Sequence, residues 1–453
     1  MSSDAHPLVY LLRLNSWSAN DYLARLDRVH QQLGYGPIVR DRKRITRWTR
    51  HGVTPDRHAQ KAMAALHGIP AYEIVSRPWP EWLKVACIRD RDLLDAPWTP
   101  EATMELADRV ATTGGSMDRR GFLVVTGVTP VLGGSAIATT VEASEQGRRI
   151  GASTSAVFEQ SLEALRRQDD LLGSGQVHAS ARAQLQLIIR TLKNTAYTET
   201  TGRRLYSAAA EAARICGWTA HDSGHHGLAE EYYLVALRAA ASAGDHVTTA
   251  NTLAFWSGLR SSSGDPRSAS DLVTHALRRT TRIGSPRMTA MLYTKLARAH
   301  SHAGEQRASA HALNTAFDAY DSVRDCRPEE DPDCVYWMDL GELYMQAGSC
   351  ELSLGRPQAS LRHFTAAASD LRTADAHDED AFPRDAVIYL AREAEARVAL
   401  GDLDGAVDTA RRAVDSMGGV SSARGTSSLT DLRAKLAVRR EVPLVRDFLE
   451  QTA

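Results

Sequence analysis

The sequence predicts an all-α protein, a short N-terminal helical bundle followed by a solenoid of helical hairpins. Three observations predict it. At 453 residues the chain is too long for one ordinary core. From about Ser161 onward apolar and small residues recur with the period of a helix, and five glycines share one register of small neighbours. The expected division is a bundle over residues 1–78, a connecting segment over 79–160 and the repeat region over 161–453.

The bundle is legible from caps and breaks. In "SAND", Ser18 to Asp21, a hydroxyl stands three residues ahead of an acid, the arrangement that satisfies free N–H groups at a helix start. Tyr22, Leu23, Leu26 and Val29 then keep helical spacing until the glycines and proline of "HQQLGYGPIV" break it. The stretch "RDRKRITRWTRHG", Arg40 to Gly52, carries six cations and one acid around Trp48 and predicts a helix that ends near Gly52. Pro55 opens another helix, containing Met63 and Leu66.

Wound at about 100° per residue with Arg40 at the origin, the basic stretch places Lys43, Arg44, Arg47, Arg50 and His51 in one stripe. Ile45 and Trp48 fall on the adjacent arc. A recognition helix needs that division, one side seated in a core and the other free to enter a groove. Arginine suits guanine edges and phosphates because its fork of donors holds two acceptors at once.

Charge is distributed unevenly. The whole chain has 54 Lys and Arg against 55 Asp and Glu, a net of −1. Residues 1 to 77 hold 12 of those cations and 6 of the acids, a net of +6, so the remainder carries −7. A basic first part on a mildly acidic chain points to a nucleic-acid or other anionic partner for that part. Only six of the cations are lysine and alanine is abundant, the bias of a GC-rich genome.

The connecting segment is less regular. "SRPWPEWL" interrupts helix, "ATTGGS" and "VLGGSA" are rich in small residues, and a helix is expected around Glu101 to Val110. "MDRRGFLVVTGVTPVLGGSAIATT", from Met117, has the twin arginines and weakly apolar run of an export signal. Such a signal works at the start of a chain, so the expectation is a small-residue linker that packs against a neighbour.

In the repeat region Gly224, Gly264, Gly304, Gly355 and Gly401 align. Seven residues before them stand Gly217, Ser257, Ala297, Gly348 and Ala394. Five after stand Ala229, Ala269, Ser309, Ser360 and Ala406. Twelve after stand Ala236, Ala276, Ala316, Ala367 and Ala413. Two helices joined by a tight glycine turn approach closely only where both carry small side chains, and the next pair must stack likewise. The repeats are expected over roughly 200 to 415, with an extra pair around Ser161 to Thr191 and a capping helix near Leu429.

This register resembles the tetratricopeptide repeat, although its glycines are 40, 40, 51 and 46 residues apart against a family period of about 34. Longer helices or loops are implied, notably at "DCRPEEDPDC". The N-terminal part resembles the Xre/Cro/C1-type helix-turn-helix: "NSWSANDYLARL" is similar to its first motif, "ITRWTRHGVTPD" to its recognition segment and "ALHGIPAYEI" to its closing helix. That resemblance covers about residues 8 to 75 with a longer loop at Gly34 to Val39. It implies base contacts from Arg42, Lys43 and Arg44, phosphate contacts from Arg47 and Arg50, and a core of Trp17, Leu23, Ile45, Trp48 and Leu66; Arg40 joins the DNA-binding candidates by its place in the basic stripe. The layout, with "MDRRGFL" between the two parts, resembles actinobacterial repeat-containing regulators. In such repeats the inner surface holds a peptide, a protein or a small effector. Asn251 resembles the asparagines that clamp a peptide backbone there.

Other chemistries find little support. No P-loop, HExxH, GxSxG or GxGxxG pattern occurs, so neither an enzyme nor a cofactor is expected. His221 and His225 in "HDSGHH" are four apart, but Gly224 breaks the helix between them and no third ligand is near, so no metal site is expected. "EEDPDC" and "DAHDED" lack the glycine and closing glutamate of a calcium loop. Tyr232, Tyr233, Phe255, Trp256, Tyr293, Trp337 and Tyr344 have the spacing of core or groove. Cys87, Cys216, Cys326, Cys334 and Cys350 form no CxxC pair and fit a reducing cytoplasm. No stretch of about 18 apolar residues is present, and no membrane partner is expected. The expectation is a cytoplasmic, homodimeric regulator that binds double-stranded DNA. The alternative is an interaction scaffold whose helix-turn-helix has lost DNA binding.

Overall fold

A computed structural model of the chain describes residues 6–14, 17–67, 69, 72–84, 86, 96–113, 143–145, 147–325, 331–373, 383–418 and 422–452. The motif at Met117, the "DAHDED" loop and residues 326–330 of the acidic loop lie outside them. The described residues are predominantly helical, as expected.

The first helices are α1 (Pro7–Leu14), α2 (Ala19–Gln32), α3 (Lys43–Arg50), α4 (Arg57–Leu66), α5 (Glu73–Ser76) and α6 (Pro100–Thr113). A two-residue strand β1 (Arg148–Arg149), α7 (Ala152–Leu172), α8 (Ser174–Asn194), β2 (Thr195–Ala196), α9 (Glu199–Asp222) and α10 (His226–Ala243) follow. Then come α11 (His246–Ser262), α12 (Pro266–Leu277), α13 (Thr280–Ile283), α14 (Pro286–His302), α15 (Gln306–Asp321), α16 (Leu340–Ser353) and α17 (Pro357–Thr373). The chain ends with α18 (Pro383–Leu400), α19 (Leu403–Ser416), α20 (Ala423–Ala437) and α21 (Pro443–Gln451).

The chain forms two compact units, each assembled from separate segments. Unit 1 comprises Met1–Gly151, Leu185–His221 and His225–Gly244. Its N-terminal bundle closes around Leu8, Leu11, Tyr22, Leu23, Leu26, Met63, Leu66 and Trp82, all buried. The helix expected at Glu101 to Val110 is α6, and α10 packs on it. Arg238 fastens that contact: its guanidinium is buried, stacks 4.9 Å from the Trp98 ring and donates to the carbonyls of Ala96 and Pro97. A buried guanidinium needs acceptors of this kind to offset its lost hydration. β1 and β2 pair in parallel within the same unit.

Unit 2 comprises Ala152–Gln184, Asp222–Gly224 and Asp245–Ala453. Four helix pairs, α11 with α12, α14 with α15, α16 with α17 and α18 with α19, pack within themselves and against their neighbours in sequence. Gly224, Gly264, Gly304, Gly355 and Gly401 all adopt positive φ at inter-helix turns, a region costly for any side chain beyond hydrogen. Aspartates start several helices: Asp245, Asp339 and Asp402 accept from the backbone N–H groups of Thr248, Glu342 and Gly405.

The small-residue register has a direct physical reading. All fifteen small positions of the aligned register are buried. The position before the turn faces the one after it: Ser309 Oγ donates to the Ala297 carbonyl at 3.1 Å. The structure adds a rule absent from the sequence reading. A Cβ added to Gly217 would stand 2.7 Å from the Tyr233 ring, and one added to Gly348 would stand 2.9 Å from the Phe364 ring. Both aromatics lie nine residues after their turn glycine, where the other three repeats have Val273, Leu313 and Ala410. Glycine before the turn therefore accompanies an aromatic after it, because the close-packed interior has room for one or the other.

Candidate nucleic-acid interface

The interface is built on α2 and α3. Ser18 and Asp21 form the reciprocal cap expected of them: Asp21 N–H donates to Ser18 Oγ at 3.2 Å and Ser18 N–H to Asp21 Oδ2 at 3.0 Å. Tyr22, Leu23, Leu26 and Val29 then face the core, and Asp27 lies buried beside them. Opposite, Ile45 and Trp48 seat α3 at 7% and 4% exposure. Leu23 and Leu66 are buried as expected, and Trp17 is half-buried against the same core.

The six predicted cations divide into three kinds. Arg42, Lys43, Arg47 and Arg50 are exposed and have no carboxylate partner among the described residues. Arg44 is half-buried, with its guanidinium carbon 5.8 Å from the centroid of the Trp48 ring and a weak 3.4 Å hydrogen bond to the Val39 carbonyl. Arg40 departs from the sequence expectation. It precedes the helix, which starts at Lys43, and its Nε and Nη2 donate to Asp27 Oδ2 at 3.0 and 2.7 Å. A residue placed by helical winding at the origin of the stripe is instead a fastener of the loop.

That loop explains how the longer Gly34 to Val39 segment is accommodated. Asp27 also accepts from the Ile38 N–H at 2.8 Å and from Gln31 Nε2 at 2.9 Å. Burial works against the Asp27 charge, but the Ile38 N–H, Gln31 and Arg40 outweigh it and hold the carboxyl at about 2. His30 Nδ1 meets the Gly36 carbonyl at 2.7 Å, and the Tyr35 ring stacks on His58 with centroids 4.3 Å apart. Asp41 then accepts from the Lys43 N–H at 2.9 Å and starts α3. Gly52, with φ +64, ends the turn that follows Arg50.

Sequence reasoning missed Asp27. The signal was available: an acid four residues after Leu23, inside the apolar face of α2, must find donors when buried.

The remaining candidates lie elsewhere. Asn251, on α11, is 1% exposed, and its Oδ1 has no hydrogen-bond partner. Tyr232, Tyr233 and Trp256 are core, whereas Phe255, Tyr293, Trp337 and Tyr344 are half-buried. His221 is buried with its ring centroid 5.6 Å from that of His226. Among the described residues no group of three or more His, Cys, Asp or Glu is arranged to hold a metal ion, and no helix is long and apolar enough to cross a membrane. Cys216, Cys334 and Cys350 form no disulfide among the described residues.

No protein-family model matches the chain, and no curated protein matches it.

Proposed function

We propose that the protein is a DNA-binding transcriptional regulator of the Xre-like helix-turn-helix type, with a tetratricopeptide-like repeat region that receives an effector. One observation carries the reading: Lys43, Arg47 and Arg50, on a helix anchored by Ile45 and Trp48, and Arg42 at its start stand exposed, with no carboxylate partner among the described residues. A free cationic ridge on a rigid mount is what a duplex needs, charge for phosphates and a fixed register for base edges. A homodimer would present two such ridges to successive turns of one groove face, and an effector in the repeat region would act by changing their spacing.

The test is a salt titration of the full chain on a short duplex, read by fluorescence anisotropy. Four phosphates neutralised per head give a log–log slope of about −4 for one head and about −7 for two. Between roughly 50 and 200 mM salt, affinity should then fall about a hundredfold or about ten-thousandfold respectively. Alanine at Lys43, Arg44 and Arg47 together should abolish association. Association that ignores salt and these changes would refute the reading and favour a protein-interaction scaffold.

A further inference from the structure

Unit 2 contains a cleft of 910 Å³ where the C-terminal turns of α11, α14 and α16 meet α18 and α20. Leu352 and Val398 give it an apolar part, and Ser261, His302, Ser353, Arg392, Glu395 and Lys435 a polar part. Its size is that of a small-molecule site.

Two guanidiniums converge beside it. Arg392 Nη2 donates to Ser353 Oγ at 2.9 Å and to the Ser349 carbonyl at 3.0 Å, while Arg298 Nη1 reaches the same Ser353 Oγ at 3.3 Å. Arg392 Nε is buried and has no acceptor. Neither arginine has a carboxylate in ion-pair contact among the described residues. The neighbouring acid, Glu395, is taken by Lys435 at 2.6 Å.

The surroundings register this excess charge. Burial and then the Arg298 guanidinium bring Arg392 down to about 10. Burial and then Arg298 also bring His302 to about 4, so it is neutral at pH 7. His302 Nδ1 lies 3.1 Å from both the carbonyl and the hydroxyl of Ser261; the carbonyl can only accept and the hydroxyl can accept too, so a proton on Nδ1 serves both and leaves Nε2 as an acceptor. Helix C-termini attract cations, and Arg392 gives one donor to such a carbonyl, whereas Arg298 is hydrogen-bonded to Ser353 Oγ and to the Cys350 thiol. Two like charges held side by side, with the nearby acid Glu395 shared with Lys435, are an arrangement that a bound anion would relieve.

We propose that this cleft binds a phosphorylated small molecule, its phosphate on Arg298, Arg392 and Ser353 and a hydroxyl or amide donor on His302 Nε2. The two guanidinium forks, with the Ser353 hydroxyl turned from the Ser349 carbonyl to which it donates at 3.0 Å, match a tetrahedral oxyanion, and the Leu352 and Val398 side takes the remainder of the ligand. The inference rests on the effector half of the regulator reading and names the class of effector.

Calorimetric titration of the full chain with phenyl phosphate tests it, with phenol and phenylacetate as comparators. Phenyl phosphate should bind and phenol should not. Arg298→Gln and Arg392→Gln should each weaken binding about tenfold or more. Arg392→Lys, which keeps the charge, should recover part of the loss and so separate a lost contact from a lost fold. Arg411→Gln, on the exposed face of α19, should change nothing. The Lys43, Arg44 and Arg47 triple-alanine variant should bind the probe as the parent does, which excludes the α3 ridge as its site. No binding by the parent, equal binding by both glutamine variants, or phenylacetate binding as tightly as phenyl phosphate would each overturn the proposal. Duplex binding measured on the same variants separates this outcome from the DNA reading, since either can fail while the other stands.

Discussion

Replacing Asp27 with asparagine tests how the basic helix is held in place. The carboxylate gathers the Ile38 N–H, Gln31 and both Nε and Nη2 of Arg40, and asparagine offers those donors one neutral oxygen. The carboxyl is held at about 2 against an ordinary 3.8. Each tenfold change in proton affinity corresponds to about 1.4 kcal/mol, so the charged form is worth about 2 kcal/mol to the folded state. The sign follows from the direction. A lowered carboxyl contributes fully above pH 3.8 and loses that contribution as pH falls through about 2, and roughly half remains at pH 3. In a chain of two compact units global unfolding need not report on one loop, so amide hydrogen exchange over residues 36–48 is the suitable readout. Exchange there should quicken about thirtyfold in Asp27→Asn at pH 7. After correction for intrinsic rates, the difference from the parent should shrink at pH 3. Duplex affinity should fall with it, because the start of α3 loses its tether. Unchanged exchange at pH 7, or a difference independent of pH, would refute the assignment of Asp27 as the fastener.

Arg47→Ala should reduce the salt slope of duplex binding by about 1, whereas Arg40→Ala, whose guanidinium is committed to Asp27, should leave the slope nearly unchanged. Gly348→Ala should lower stability by about 1–2 kcal/mol in urea unfolding because its Cβ would press on the buried Phe364 ring. Gly258→Ala, in α11 with open space around the new methyl group, should instead raise stability by up to about 1 kcal/mol. Glu342 accepts from Gln346 and Tyr389 at 2.7 Å each; burial, then Asp385, push it up to about 7, with Lys295 opposing. A raised carboxyl favours folding below its ordinary value of 4.5 and loses that advantage as pH rises through about 7. The urea midpoint should therefore fall between pH 5.5 and pH 8 in the parent and fall less in Glu342→Gln.

Local chemistry made much of the fold legible. The Ser18–Asp21 cap, the seating of Ile45 and Trp48, the helix at Glu101 to Val110 and the small-residue register all follow from spacing along one chain segment. The Gly217–Tyr233 and Gly348–Phe364 pairs were also open to reading, since both members stand in fixed register with the turn glycine. The candidate site was legible in part: four of the six cations stand exposed with no carboxylate partner among the described residues, Arg44 is half-buried, and Arg40, though exposed, is taken by a carboxylate that helical winding does not bring near it.

By itself the sequence determined which segments are helical, which faces are small or apolar, and where the positive charge concentrates, because these depend on neighbours within a turn or two. Tertiary structure alone decided that Leu185–His221 and His225–Gly244 join the N-terminal unit. It also decided that Arg238 reaches back to Ala96 and Pro97, and that Arg298 and Arg392 meet at Ser353. The physical reason is common to all three. A buried or crowded guanidinium takes whichever acceptor packing brings within about 3 Å, and the identity of that acceptor is set by helix stacking across 39 to 142 residues, where no periodicity along the chain carries information.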